Sequence, residues 1–243
     1  MNILIPHTWL LEHLDTDASP QEIQRLVSLS GPSIERIYDR EGEKVYDIEV
    51  TTNRVDSMSV RGIARECAVI LNQAGVRAKL RELSIKSTQL NSAHKLSGPQ
   101  IVNDPKLCKR VLYVILKDVK HSATPDWMAK RLKQTEMNVH DAMIDITNYV
   151  THELGHPCHA FDYDKIMKLG GKIIVKEATA GKKFKTLDDA EYSTVGGEVV
   201  FENDAGEIID FPAIKGTANS AVDDQTKNVL FWIESLDPKK VRF

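Results

Sequence analysis

The chain has 243 residues, 42% of them hydrophobic and 28% charged, a balance that suits a folded protein and leaves room for one large domain or two modest ones. Its formal net charge of -3 excludes a positive field strong enough to hold nucleic acid by phosphate contacts alone, so any RNA must be held mainly by other chains or segments. The three cysteines, Cys67, Cys108 and Cys158, are odd in number and lack CxxC spacing, which argues against a cysteine-rich metal site and fits a reducing compartment. There is no basic n-region ahead of an apolar run and no stretch near the roughly 18 apolar residues of a membrane span, so a cytoplasmic protein is expected.

In chain order, Trp9, Leu10 and Leu14 predict a short amphipathic helix near the start. Ser19-Pro20-Gln21-Glu22 is a capping box with proline at the first helical position; Ile23, Leu26 and Val27 form its buried stripe, and Gly31-Pro32 stops it. Strand-like runs at Ile34 to Tyr38 and Val45 to Thr52 flank the turn DREGEK. A third helix is expected from Ser59 to Gln73 with Gly75 as its C-terminal cap. Residues 81–99, poor in apolar residues and punctuated by Ser, Asn, Gly and Pro, read as a linker between an N-terminal domain (1–80) and a second domain (100–243). In the second, Val111 to Leu116 suits a buried strand, and Thr124 is the natural N-cap of a helix opened by Pro125. Helical spacing resumes near Val139 and runs toward Leu154, where Gly155 and Pro157 end it. Strands are expected at Lys172 to Glu177, Val199 to Asn203, Ile208 to Phe211 and Asn228 to Ile233. The fold class is α+β, a small unit followed by a larger, strand-rich one.

The window Asp145 to Asp162, DITNYVTHELGHPCHAFD, holds three of the eight histidines. Within it His152-Glu153-Leu154-Gly155-His156 matches H-E-x-x-H, in which two imidazoles one helical turn apart hold zinc beside a glutamate base. Gly155 and Pro157 oppose the continuous helix that a zinc peptidase needs, and Ala160-Phe161-Asp162 stands where the extended pattern has its glycine and third histidine. Histidines at a solvated helix end are the alternative, and no metal ligands are assigned.

Three further stretches carry a resemblance. EVTTNRVDSMSVRGIARE (49–66), ITNYVTHELGHPCHAFDYDKI (146–166) and GTANSAVDDQTKNVL (216–230) are similar, in the same order, to segments of the bacterial phenylalanyl-tRNA synthetase β subunit. The resemblance implies an α2β2 ligase that attaches phenylalanine to its tRNA with ATP and magnesium, with the aminoacylation site on the partner α subunit. It also implies an editing domain in this part of the β subunit that hydrolyses mischarged tyrosyl-tRNA, and no cofactor within the present chain. Two departures stand out: Glu35 to Glu49 is a hairpin-sized connection where the family carries a tRNA-binding-like insertion, and the sequence stops before the remaining β-subunit domains.

By motif position, His159 and Thr147 match editing-site residues expected to be catalytic, with Asn148, Ala160, Phe161 and Gly216 as substrate-binding residues. Hydrolysing an aminoacyl ester requires a water held against the carbonyl, donors for the oxyanion, and a pocket that reads one hydroxyl to separate tyrosine from phenylalanine. His159, with an ordinary pKa near 6.5, suits the first task; a buried histidine satisfied by backbone is the alternative, and Thr147 and Asn148 also suit caps or turns. Aligned without a gap from Asn228, Trp232 occupies the position of the family's tyrosine-reading carboxylate. Glu234 follows two residues on, on the same strand face and about 6.6 Å away. Either a register shift restores the carboxylate through Glu234, or Trp232 fills the pocket and the domain has an editing fold with weak or altered selectivity; a non-catalytic module that packs against the α subunit or helps place tRNA is the second reading.

Overall fold

The structure, a computed structural model, describes residues 1–85 and 96–241. Both helix and strand are well represented, as the α+β expectation required. The chain divides into two compact units, one drawn from Met1–Gln89 and Ser122–His156, the other from Leu90–His121 and Pro157–Phe243. The expected boundary near residue 100 therefore differs from the observed one: the helical segment 122–156 belongs to the first unit. Of the expected linker 81–99, residues 86–95 lie outside the described residues, and the described flanks carry no helix or strand.

The first unit begins with β1 (Asn2–Pro6), α1 (His7–His13), β2 (Leu14–Thr16), α2 (Pro20–Val27), β3 (Ser33–Arg40), β4 (Glu43–Glu49), α3 (Val60–Gln73) and β5 (Ala78–Leu80). Strands β1, β4 and β3 form an antiparallel sheet with β4 central. The capping box forms, with the Ser19 hydroxyl accepting from the Glu22 amide at 3.2 Å. Helix α3 starts at Ser59, whose hydroxyl accepts from the Gly62 amide at 2.9 Å, and it buries Ile63, Ala64, Cys67 and Leu71. The residues of the 49–66 motif brace this helix, because Arg54 pairs with Glu66 at 2.7 Å and with Asp56 at 3.0 Å.

The unit is completed by α4 (Asp126–Gln134) and α5 (Ala142–Leu154). Their apolar residues Met128, Leu132 and Tyr149 join the core of Trp9, Leu10 and Ile63, with Tyr149 stacked on Trp9 at a centroid distance of 4.3 Å. Amphipathic spacing says that a helix has a face to bury but not against what, so periodicity alone assigned this pair to the wrong half. The cap of α4 also differs: Thr124 does not cap it, and its hydroxyl instead donates to the buried Asp145 carboxylate at 2.5 Å.

The second unit contains β6 (Gln100–Asn103), β7 (Cys108–Leu116), β8 (His159–Asp162), α6 (Tyr163–Lys168), β9 (Lys172–Glu177), β10 (Lys183–Lys185), β11 (Glu191–Ser193), β12 (Val199–Glu202), β13 (Ile208–Phe211), β14 (Lys215–Gly216), β15 (Val229–Leu236) and α7 (Pro238–Val241). One sheet has the order β14-β13-β12-β9-β6 and another β7-β15-β8, with β10 and β11 as a separate hairpin. Their shared core contains Phe161, Ile173, Phe201, Leu230 and Trp232. Strand β7 is not the buried strand expected. It is an edge strand on which Leu112, Val114 and Leu116 are 37% to 56% exposed, while Val111 and Ile115 pack on the core. A continuous apolar run does not reveal that only one of its two faces is covered.

Candidate active site

Strand β15 lies between β7 and β8, and its register sets the site: Trp232 is opposite His159, and Leu230 is opposite Phe161. Side chains alternate along a strand, so Leu230, Trp232 and Glu234 share the inward face, and all three are buried. Glu234, two residues beyond the last pair with β8, reaches back to the His159 ring, its Oε1 3.2 Å from Nε2. Phe161 stacks beside that ring at a centroid distance of 6.0 Å.

A third ionisable group enters from the other sheet. The pairing of β12 with β13 slips by one residue, with Phe201 opposite Asp210 but Glu202 opposite Ile208. This bulge turns Ile209 and Asp210 together onto the face of Phe201. Asp210 is 1% exposed; Gly216 of β14 is its partner across the strands, and a Cβ at Gly216 would come within 3.8 Å of its Oδ1.

The charges act on one another. Burial pushes the Asp210 carboxyl up to about 7, opposed by the His159 charge and reinforced by Glu234. Burial alone would lower the His159 pKa, but the hydrogen bond with Glu234 and the fields of Asp210 and Glu234 outweigh it and raise the ring above its ordinary value. With Nε2–H directed at Glu234, Nδ1 of the neutral ring is the atom able to accept a proton from water. Trp232 is 1% exposed, packed 5.4 Å from Phe201 and 6.2 Å from Phe161 between ring centroids, so its indole fills the core beside the pair.

The residues expected in the site are thus divided. His159, Phe161, Gly216, Trp232 and Glu234 lie on elements of the second unit around the carboxylates, whereas Ala160, opposite Phe231, takes the alternate face of β8. Thr147 and Asn148 belong to α5 of the first unit. The Thr147 hydroxyl donates to the Ile144 carbonyl at 2.7 Å, and Asn148 lines a cavity of about 570 Å³ with Leu4, Tyr38, Asp47, Met58 and His152. Asp210 was not among the expected residues; its signal is a lone carboxylate in the apolar strand Ile208-Ile209-Asp210-Phe211.

The zinc pattern is resolved by local geometry. Helix α5 ends at Leu154 with Gly155 left-handed at φ 84°, so His156 lies beyond the helix and not one turn from His152 on its face. His152 Nε2 lies 2.7 Å from the Leu4 carbonyl oxygen, and Glu153 takes His13 at 3.0 Å.

The chain is similar to several known proteins. The phenylalanine–tRNA ligase β subunit of Fusobacterium nucleatum is 31% identical over 207 residues, covering 85% of this chain and 25% of the relative. That of Bdellovibrio bacteriovorus is 36% identical over 200 residues, 81% of this chain and 23% of the relative; that of Rhodopirellula baltica is 30% identical over 240 residues, 99% and 34%. The chain thus spans between about a quarter and a third of the length of these relatives. An N-terminal fragment of the phenylalanyl-tRNA synthetase β-subunit from Pyrococcus horikoshii superposes with a TM-score of 0.49 at 17% identity, covering 99% of this chain and 70% of that one. The family model for the B3/4 domain matches residues 107–243. That match takes in more than half of the sequence and every strand that supplies His159, Asp210 and Glu234, and by it the chain belongs to the B3/4 domain family.

Proposed function

We propose that this chain is part of a phenylalanine–tRNA ligase β subunit and contributes proofreading, the hydrolysis of tyrosine mistakenly esterified to the phenylalanine tRNA. The observation that carries this reading is the His159–Glu234 pair, a half-buried imidazole held at 3.2 Å by a buried carboxylate. Such a pair fixes the tautomer of the ring and leaves Nδ1 as a general base. A water gives its proton to Nδ1 while its oxygen bonds to the ester carbonyl carbon. The bond from that carbon to the ribose oxygen then breaks, and the proton passes from the ring to the departing oxygen. The missing Cβ of Gly216 admits the Leu187 side chain, whose Cδ1 would lie 2.9 Å from it, beside Asp210, and Phe161 backs the ring. Thr147, Asn148 and Ala160 enter this reading by motif position. Partners in it are the α subunit and tRNA, in the cytoplasm; ATP and magnesium serve ligation and enter no step here.

Trp232 favours a second reading, in which the unit positions RNA without hydrolysing it, because the indole occupies core volume where a tyrosine-reading carboxylate is expected. Incubation with preformed tyrosyl-tRNA specific for phenylalanine separates the two. Proofreading predicts tyrosine release above the buffer rate and a loss of about 100-fold or more in His159→Ala. Release no faster than in buffer refutes it and leaves the positioning role.

A further inference from the structure

Among the described residues, no hydrogen bond of standard geometry reaches either carboxylate oxygen of Asp210, and the amide of its own neighbour, Phe211, offsets the burial only weakly. A carboxylate in such a place is costly in its charged form. The bulge creates the situation. Strict alternation would turn residue 210 to the side of Ile208 and Glu202, where Lys182 and Lys176 hold the Glu202 carboxylate at 2.6 and 3.5 Å. The slip sends it instead to the face of Phe201, where the charges acting on it are those of His159 and Glu234.

The groups facing Asp210 are few. His159 from β8 and Glu234 from β15 act on it by their charge, while the residues opposite it on its own sheet, Phe201 of β12 and Gly216 of β14, carry none. We propose that Asp210 is the third member of this site, a proton-holding positioning residue that sets the charge of the His159 ring and hence the pH at which the ring can take a proton from water. With Asp210 protonated, the Glu234 carboxylate and the His159 imidazolium balance. Once Asp210 loses its proton, two carboxylates hold the imidazolium, and the ring reaches its base form only at higher pH. The protons leave in coupled steps that belong to the cluster, not to either residue. The use made of this coupling rests on the hydrolytic reading; the coupling itself does not.

Carbon- and nitrogen-detected NMR titration of the whole chain, labelled in aspartate and histidine, tests it. In the unaltered protein the Asp210 carboxyl carbon is expected to titrate near neutral pH, and a midpoint in the ordinary carboxylate range, below about 5, overturns the proposal without any variant. In Asp210→Asn, and in the smaller Asp210→Ser, the His159 ring midpoint is expected to fall by on the order of one pH unit; an unchanged midpoint in a folded variant also overturns it. Where the parent hydrolyses tyrosyl-tRNA, the acidic limb of its rate profile should move by the same interval. A rate lowered at every pH with the limb fixed marks a structural residue and rejects the role. A parent that hydrolyses nothing removes the proofreading reading and leaves the two titrations to decide the coupling.

Discussion

Asp210 shows what a single side chain does to the pH response of the fold. Burial pushes its carboxyl up to about 7 in the folded chain, against about 3.9 for an aspartate in an unfolded one. A group whose folded pKa is raised contributes stability that is fully present below the unfolded value and is lost as pH rises through the folded one. The raised His159 ring acts in the same direction, its contribution being lost as pH rises above the ordinary imidazole value of about 6.5. The parent is therefore expected to lose stability between about pH 4 and 7 as Asp210 ionises, and Asp210→Asn, which cannot ionise, should lose less. Thermal unfolding of both proteins at pH 4.5 and pH 8 checks this; a melting-temperature difference that does not shift in favour of the variant at pH 8 would contradict it. Other residues were legible in advance: Ser19 and Gly155 take the cap positions that their chemistry suggests, because a cap is decided by the few bonds within one turn. Thr124 was misread for the complementary reason, since its hydroxyl finds the buried Asp145, 21 positions away.

Among elements, β15 and β7 form the most instructive pair. Both read as apolar strands, yet β15 is central and β7 lies at an edge. Leu230 is fully buried, and Leu112 is 56% exposed. Leu230→Ala is expected to cost about 2–5 kcal/mol, while Leu112→Lys should cost under about 1 kcal/mol and improve solubility by charging an apolar edge. Chemical denaturation of both variants gives the comparison, and equal costs would contradict the assigned strand order. Helix α5 was legible as a helix with a glycine stop, because Gly155 can adopt the left-handed conformation without penalty. The bulge in β13 was not legible: an extra residue in one strand is visible only once its partner strand is known.

For the whole molecule, the net charge of -3 limits what the chain can do alone. With 32 lysines and arginines outnumbered by 35 aspartates and glutamates, counterion release does not support tight RNA binding at physiological salt. The isolated chain should therefore bind deacylated tRNA more weakly than about 10 μM at 0.15 M salt, measurable by filter retention or fluorescence anisotropy. Submicromolar binding would show a basic surface that composition conceals. The sequence by itself determined the mixed α and β class, most helix and strand positions, the family through motifs in fixed order, and His159 as a candidate residue. These depend on local spacing, capping and residue chemistry, all of which act over a few positions. Only the tertiary structure decided that residues 122–156 complete the first unit, that β7 lies at an edge, that Glu234 meets His159, and that Asp210 is buried beside them. Each of these depends on which distant segments pair and which faces are covered, and burial is a property of the neighbours a residue acquires, not of the residue.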